Sequence, residues 1–224
     1  NETAHNREEW NDTATGSGHA VMVPMQNILF KNTSHNYAGF NCNIPDQFRM
    51  NQFEEEFKKL WLNKHRELPR LITIQVPNDH TADPKPKYGY PYHESYVADN
   101  DLAVGRILHF LSRTTYWQNM LVIITEDDPQ GGVDHIDAHR SLLMMAGPYI
   151  KRNYTSNTHA NFGSILKVIY NILDIPYVNQ YDATASLLDD FFTNKPNFKP
   201  YSFVFPSKEI FNPTIAQLIL KNNH

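Results

Sequence analysis

Residues 121–150, LVIITEDDPQGGVDHIDAHRSLLMMAGPYI, constrain the fold more than any other part of the chain. Leu121-Val122-Ile123-Ile124 reads as a buried strand, and it runs directly into Glu126, Asp127 and Asp128. A glycine turn follows, then Asp134, His135, Asp137 and His139, then a second apolar strand over 142–146. That many carboxylates and imidazoles between two core strands repel one another unless a positive charge sits among them. The simplest such charge is a metal ion. In α/β folds ligand sites lie where the C-terminal ends of strands meet the loops that follow, and this is such a place.

The remaining pattern supplies the frame. Residues 1–45 are rich in Asn, Thr, Ser, Gly and His and read as an irregular N-terminal segment with one short apolar patch. The pattern sharpens from Pro45, so 46–224 is expected to form the main domain. Phe48, Phe53, Phe57, Leu60 and Trp61 recur at helical spacing, which gives an amphipathic helix over 46–63 with Asp46 as its cap. Leu71-Ile72-Thr73-Ile74-Gln75-Val76 reads as a buried strand that ends at Pro77-Asn78-Asp79-His80. A turn-rich loop leads to a helix over 98–112. Further helices are expected over 164–173, 183–192 and 214–220. Strand–helix–strand order repeated in this way implies an α/β layered fold.

Composition narrows the function classes. A formal charge of −4 with scattered Lys and Arg argues against nucleic acid as the main partner, because phosphate backbones attract clustered basic residues. No apolar run approaches the ~20 residues that a membrane span needs. The charged and apolar stretches of a secretion signal are also absent, so any such signal is expected outside this sequence. The single cysteine, Cys42, excludes a disulfide framework and a multi-thiolate zinc site, and reads as a small packing residue.

Two expected strands thus end in residues of metal-ligand type. The first delivers Asn78, Asp79 and His80, the second Glu126, Asp127 and Asp128. As neighbours in a parallel sheet the strands would lie about 5 Å apart, and both clusters would address one ion. Oxygen-rich ligation with one or two imidazoles suits Zn²⁺, Mn²⁺, Mg²⁺, Ca²⁺ or Fe alike. Each cluster has a bland reading too. Asp79-His80 also fits a capping turn, the acidic triplet a solvated turn, and His139 a satisfied core histidine. Tyr88, Tyr90, Tyr92 and Tyr96 fit either a substrate flank or exposed loop tyrosines packed on one another.

Four strings carry a resemblance: VPNDHT, VADNDLAVGRILHFLSRTTYWQNMLVIITEDDPQGGVDHIDAHRS, AGPYIKR and SILKVIYNILDIPYVNQYDATAS. In this order and with these gaps they closely resemble the phosphoesterase family, the bacterial acid phosphatases and phospholipase C-type enzymes of the alkaline phosphatase superfamily. The resemblance covers residues 45–192. It implies an alkaline-phosphatase-like α/β fold, a layered and mostly parallel sheet with helices on both faces, acting as a metal-dependent phosphate ester hydrolase. It also implies a periplasmic or cell-surface location, with an N-terminal β-propeller in some look-alikes.

Carried over by position, the resemblance places Asp79 where a strand end supplies a metal-binding Asp. Asp127 matches a second metal-binding Asp, and Asp128 replaces the usual His, as in variants that hold a single metal. His139 matches the last metal-binding His, and Glu126 supports the ligand set. His80 and His135 stand as contacts to the phosphate ester substrate. The Ser or Thr nucleophile of the superfamily has no counterpart before Pro45. Thr15 and Ser17 lie in a glycine-flanked turn, but no buried strand precedes them. The chain is therefore expected to be the C-terminal part of the domain, separated from its nucleophile half. The alternative is a non-catalytic cell-surface binding or structural module that keeps the fold.

Overall fold

The computed structural model describes residues 26–127 and 141–216. In chain order these form α1 (Asn27–Lys31), α2 (Asp46–Phe57), α3 (Glu94–Leu111), β1 (Val122–Thr125), β2 (Leu143–Ala146), α4 (Phe162–Leu173), α5 (Gln180–Thr184) and α6 (Pro213–Ala216). Short 3-10 turns join them, among them Pro77–His80. Two compact units divide the chain: residues up to Phe110 together with those from Ser202 onward, and Leu111–Tyr201. The molecule mixes helix and strand. No helix among the described residues is long and apolar enough to cross a membrane.

The first unit is organised by α2 and α3. Phe53 and Phe57 meet Phe110 edge-on, with ring centroids 6.1 and 5.3 Å apart. Such edge-to-face pairs add about 0.5–1.5 kcal/mol each beyond their buried area. After Phe57 the helix widens into a π turn over Lys58–Leu62, so helical structure does fill the expected span.

The start of α2 differs from expectation. Pro45 occupies the cap position and makes no side-chain cap bond. The backbone N–H groups of Asp46 and Gln47 instead donate to the Asp99 carboxylate, at 2.8 and 3.3 Å. An anion there meets the unsatisfied N–H groups and the positive end of the helix dipole. The cap of α2 comes from α3.

Asp46 turns inward to Arg49, one turn along, with Nη1 2.9 Å from Oδ1 and both side chains fully buried. Arg49 donates also to the backbone carbonyls of Ala38, Ile44, Gly39 and Asn41. All five of its N–H groups are thereby satisfied.

The tyrosines do pack on one another, but mostly in the core and not on an exposed loop. Tyr90 and Tyr96 are buried and stacked, with centroids 4.3 Å apart. They form a core with Leu102, Phe211 and Ala216. Only Tyr92 is largely exposed. Gly89 holds the turn before Tyr90 at φ +83, and a Cβ there would lie 2.6 Å from the Asn212 carbonyl oxygen. Gly89→Ala is therefore expected to cost roughly 2–4 kcal/mol through strained backbone and a backbone clash. Urea denaturation checks this, and a wild-type midpoint would show that the turn relaxes freely.

The strand expected over 71–76 does not form. The segment carries no regular secondary structure, with Leu71 and Ile72 exposed. The Tyr37 hydroxyl donates to the Gln75 carbonyl and Asn100 Nδ2 donates to the Val76 carbonyl. An apolar run makes a strand only when another strand completes its ladder, and none does so among the described residues.

In the second unit β1 and β2 pair antiparallel, with Val122 opposite Ala146 and Thr125 opposite Leu143. This two-stranded sheet replaces the parallel neighbours expected from sequence, among the described residues. α4 begins at a capping box in which Asn161 Oδ1 accepts from the Ser164 N–H, and the Ser164 hydroxyl accepts from the Asn161 N–H.

The helix expected over 183–192 is shorter and earlier. α5 is capped by Asn179 and Asp182, and stops at Ala185, whose backbone is extended. Lys167 Nζ donates to the carbonyls of Ala183 and Ala185, so these acceptors are engaged by a side chain outside α5. A 3-10 turn over Asp189–Phe191 follows. Of the final helix expected over 214–220, the described part is α6; the rest lies outside the described residues.

Candidate functional site

The Asn78-Asp79-His80 segment sits on the 3-10 turn Pro77–His80, and its scaffold is the buried polar network behind α2 and α3. Asn78 is fully buried. Its N–H donates to Asp46 Oδ2 at 3.1 Å, and its Nδ2 donates to Asp99 Oδ2 at 2.7 Å and to the Ile44 carbonyl at 3.3 Å. Both Nδ2 partners are acceptors, which fixes the amide orientation. Asn78 Oδ1 is left buried with no partner among the described residues. Asn100 Nδ2 reaches Asp46 Oδ2 at 3.2 Å and the Val76 carbonyl at 2.6 Å, holding the chain just before the turn.

Asp99 is the centre of this network. Its carboxylate accepts from the Asp46 and Gln47 N–H groups, Gln47 Nε2, Asn78 Nδ2 and the Tyr90 hydroxyl. Burial nevertheless pushes its carboxyl above the usual range, opposed by the bonds from Gln47, Asp46, Tyr90 and Asn78. Burial likewise lifts Asp46 from 3.8 to about 7, with Arg49 opposing and Asp99 reinforcing. Burial and the adjoining Asp99 charge hold the Tyr90 hydroxyl well above its ordinary value.

The turn then presents Asp79, half-buried, and His80, exposed. The His80 ring meets Phe40 edge-on at 5.3 Å. Cys42 lies alongside, with Sγ 3.7 Å from the Pro77 carbonyl. Burial pushes its thiol up, Arg49 opposes, and the Asp46 and Asp79 charges add to the rise. A thiol held protonated is a poor nucleophile, which suits the packing role read from its sequence context.

At the exit of the turn stands Thr81, at φ 63 and ψ 169. This is backbone space essentially reserved for glycine, and a β-branched residue there carries about 1–3 kcal/mol of strain.

Glu126 and Asp127 belong to the second unit, directly after β1. The Ser141 hydroxyl donates to the Glu126 carbonyl at 3.0 Å, so the two described ends of the acidic loop meet at the base of the strand pair. Glu126 is half-buried and Asp127 exposed. Asp128, His135 and His139 lie outside the described residues. Carboxylates at Asp79, Glu126 and Asp127 and an imidazole at His80 are the donor types a divalent cation takes. Among the described residues, no group of three or more His, Cys, Asp or Glu comes together as a metal cluster.

The buried network escaped sequence reasoning, although a signal was present. Tyr96, Asp99 and Leu102 share one face of α3 at helical spacing, so an acid stands in an otherwise apolar stripe. A carboxylate in that position requires several donors from elsewhere in the fold. No protein-family model, no curated protein and no solved structure matches the chain.

Proposed function

We propose that the chain is the C-terminal part of a metal-dependent phosphoesterase domain of the alkaline phosphatase type, hydrolysing a phosphate mono- or diester. The layered, mostly parallel sheet of that superfamily belongs to this reading, as do a periplasmic or cell-surface location and an N-terminal β-propeller. The observation that carries it is the Asp79-His80 pair on a turn clamped from behind by fully buried groups. Solvated turns do not need such support.

In this reading Asp79 of the first unit and Glu126, Asp127, Asp128 and His139 of the second are metal ligands, while His80 and His135 are contacts to the phosphate ester. When bound, the cation supplies positive charge against the phosphoryl oxygens and activates a hydroxyl nucleophile. The protein's own contribution is to bind and orient. Asp79 is presented by the turn, and the exposed His80 imidazole donates a hydrogen bond to, or takes a proton from, a group at its surface. No residue of the chain is assigned as the attacking Ser or Thr.

The test compares p-nitrophenyl phosphate and bis-p-nitrophenyl phosphate hydrolysis by this chain and by an N-terminally extended version, with Mn²⁺, Zn²⁺, Mg²⁺ or Ca²⁺. Turnover is expected in the extended form. Asp127→Asn is expected to lower bound metal, read by elemental analysis. If neither form turns over and neither binds metal, the assignment is wrong.

A further inference from the structure

We infer that Thr81 is a positioning residue: its strained backbone, closed against the buried Asn78 clamp, preorganises Asp79 as a cation ligand and His80 as the substrate contact beside it. The inference rests on the phosphoesterase reading for the nature of the ligand, and on independent geometry for the role of Thr81. Thr81 sits at φ 63 and ψ 169, where only glycine is at ease, and its N–H donates to the Asn78 carbonyl at 3.1 Å. Such a conformation persists only where the surroundings over-determine it.

Here they do. Asn78 is tied to Asp46, Asp99 and Ile44, and Val76 is tied to Asn100. The turn also leaves Asn78 Oδ1 buried with no partner among the described residues. Two unfavourable features therefore fall within four residues, and the residues between them are Asp79 and His80. A turn selected for stability alone would place glycine at position 81 and pair the amide oxygen. Strain concentrated around a donor pair is what a preorganised binding element requires, because groups fixed in advance lose less freedom when the ligand arrives.

The experiment measures Mn²⁺ affinity by calorimetry and melting temperature by circular dichroism, on the full chain and on T81G and T81A. T81G removes the strain and frees the turn. It is expected to weaken Mn²⁺ binding about tenfold, the scale of losing a group that orients ligands, with a melting temperature equal to or above wild type. T81A keeps a Cβ and the same constraint, and is expected to bind Mn²⁺ within about twofold of wild type.

Unchanged Mn²⁺ binding in T81G overturns the inference and leaves the phosphoesterase reading intact. Equal losses in T81G and T81A also overturn it, because the hydroxyl and not the backbone would then be responsible. A fall in both affinity and melting temperature in T81G reduces Thr81 to a structural residue. Absence of Mn²⁺ binding in wild type removes the phosphoesterase reading and the inference together.

Discussion

Arg49→Ala is expected to lower the melting temperature of the first unit by about 10 °C or more, measured by circular dichroism. The guanidinium is fully buried and spends all five N–H groups on Asp46 and four backbone carbonyls. Removing it strands those acceptors and leaves the buried Asp46 carboxyl without its paired cation. Breaking a buried pair in this way costs about 3–5 kcal/mol, against a total stability of about 5–15 kcal/mol for a typical domain. Arg49→Lys is expected to recover only part of the loss, since an ammonium has three donors and no planar fork. A change of less than about 2 °C in Arg49→Ala would mean the carbonyls find water and the network is dispensable.

Asp46 gives the second large effect, and its sign is opposite to ordinary acid denaturation. Burial lifts its carboxyl to about 7 in the folded protein from 3.8, its ordinary value. The folded state therefore keeps a proton that the unfolded chain has already released. Where the unfolded state binds fewer protons, stability falls as pH rises. This contribution is fully present below pH 3.8, is lost as pH rises towards 7, and is flat above that. From about pH 5 to about pH 8 the loss is roughly 2–3 kcal/mol. Urea denaturation at both pH values, compared between wild type and Asp46→Asn, isolates the effect from other carboxylates. Identical pH dependence in the two proteins would show that Asp46 is not its source.

Much of the local structure was legible in the sequence because it is encoded locally. α2, α3 and α4 follow apolar residues at helical spacing, and β1 and β2 follow two short apolar runs. Length and neighbours decide the rest. Residues 71–76 carry the same strand signal as 122–125, yet among the described residues only the latter finds a partner. Nothing within six residues of sequence announces whether a distant strand will complete the ladder.

The same limit applies to the candidate site. Asp79, His80, Glu126 and Asp127 stood out because each follows an apolar run. Asp46 reads as a helix cap and Asp99 falls within the helix expected over 98–112, and neither suggests the other. Their link spans 53 residues, and Asn78 joins Asp99 across 21. Hydrogen bonds over such separations follow no period.

That link also bears on how the first unit folds. The leading N–H groups of α2 have their acceptor on α3, so α2 lacks a terminus of its own until the chain between them has closed. Loop closure must precede the bonds that reward it, and long-separation contacts of this kind slow folding. The two helices therefore form one cooperative element: α2 gains its last stabilising bonds only as α3 docks. Separating them by a cut in the connecting loop would deprive both of more than the residues at the break.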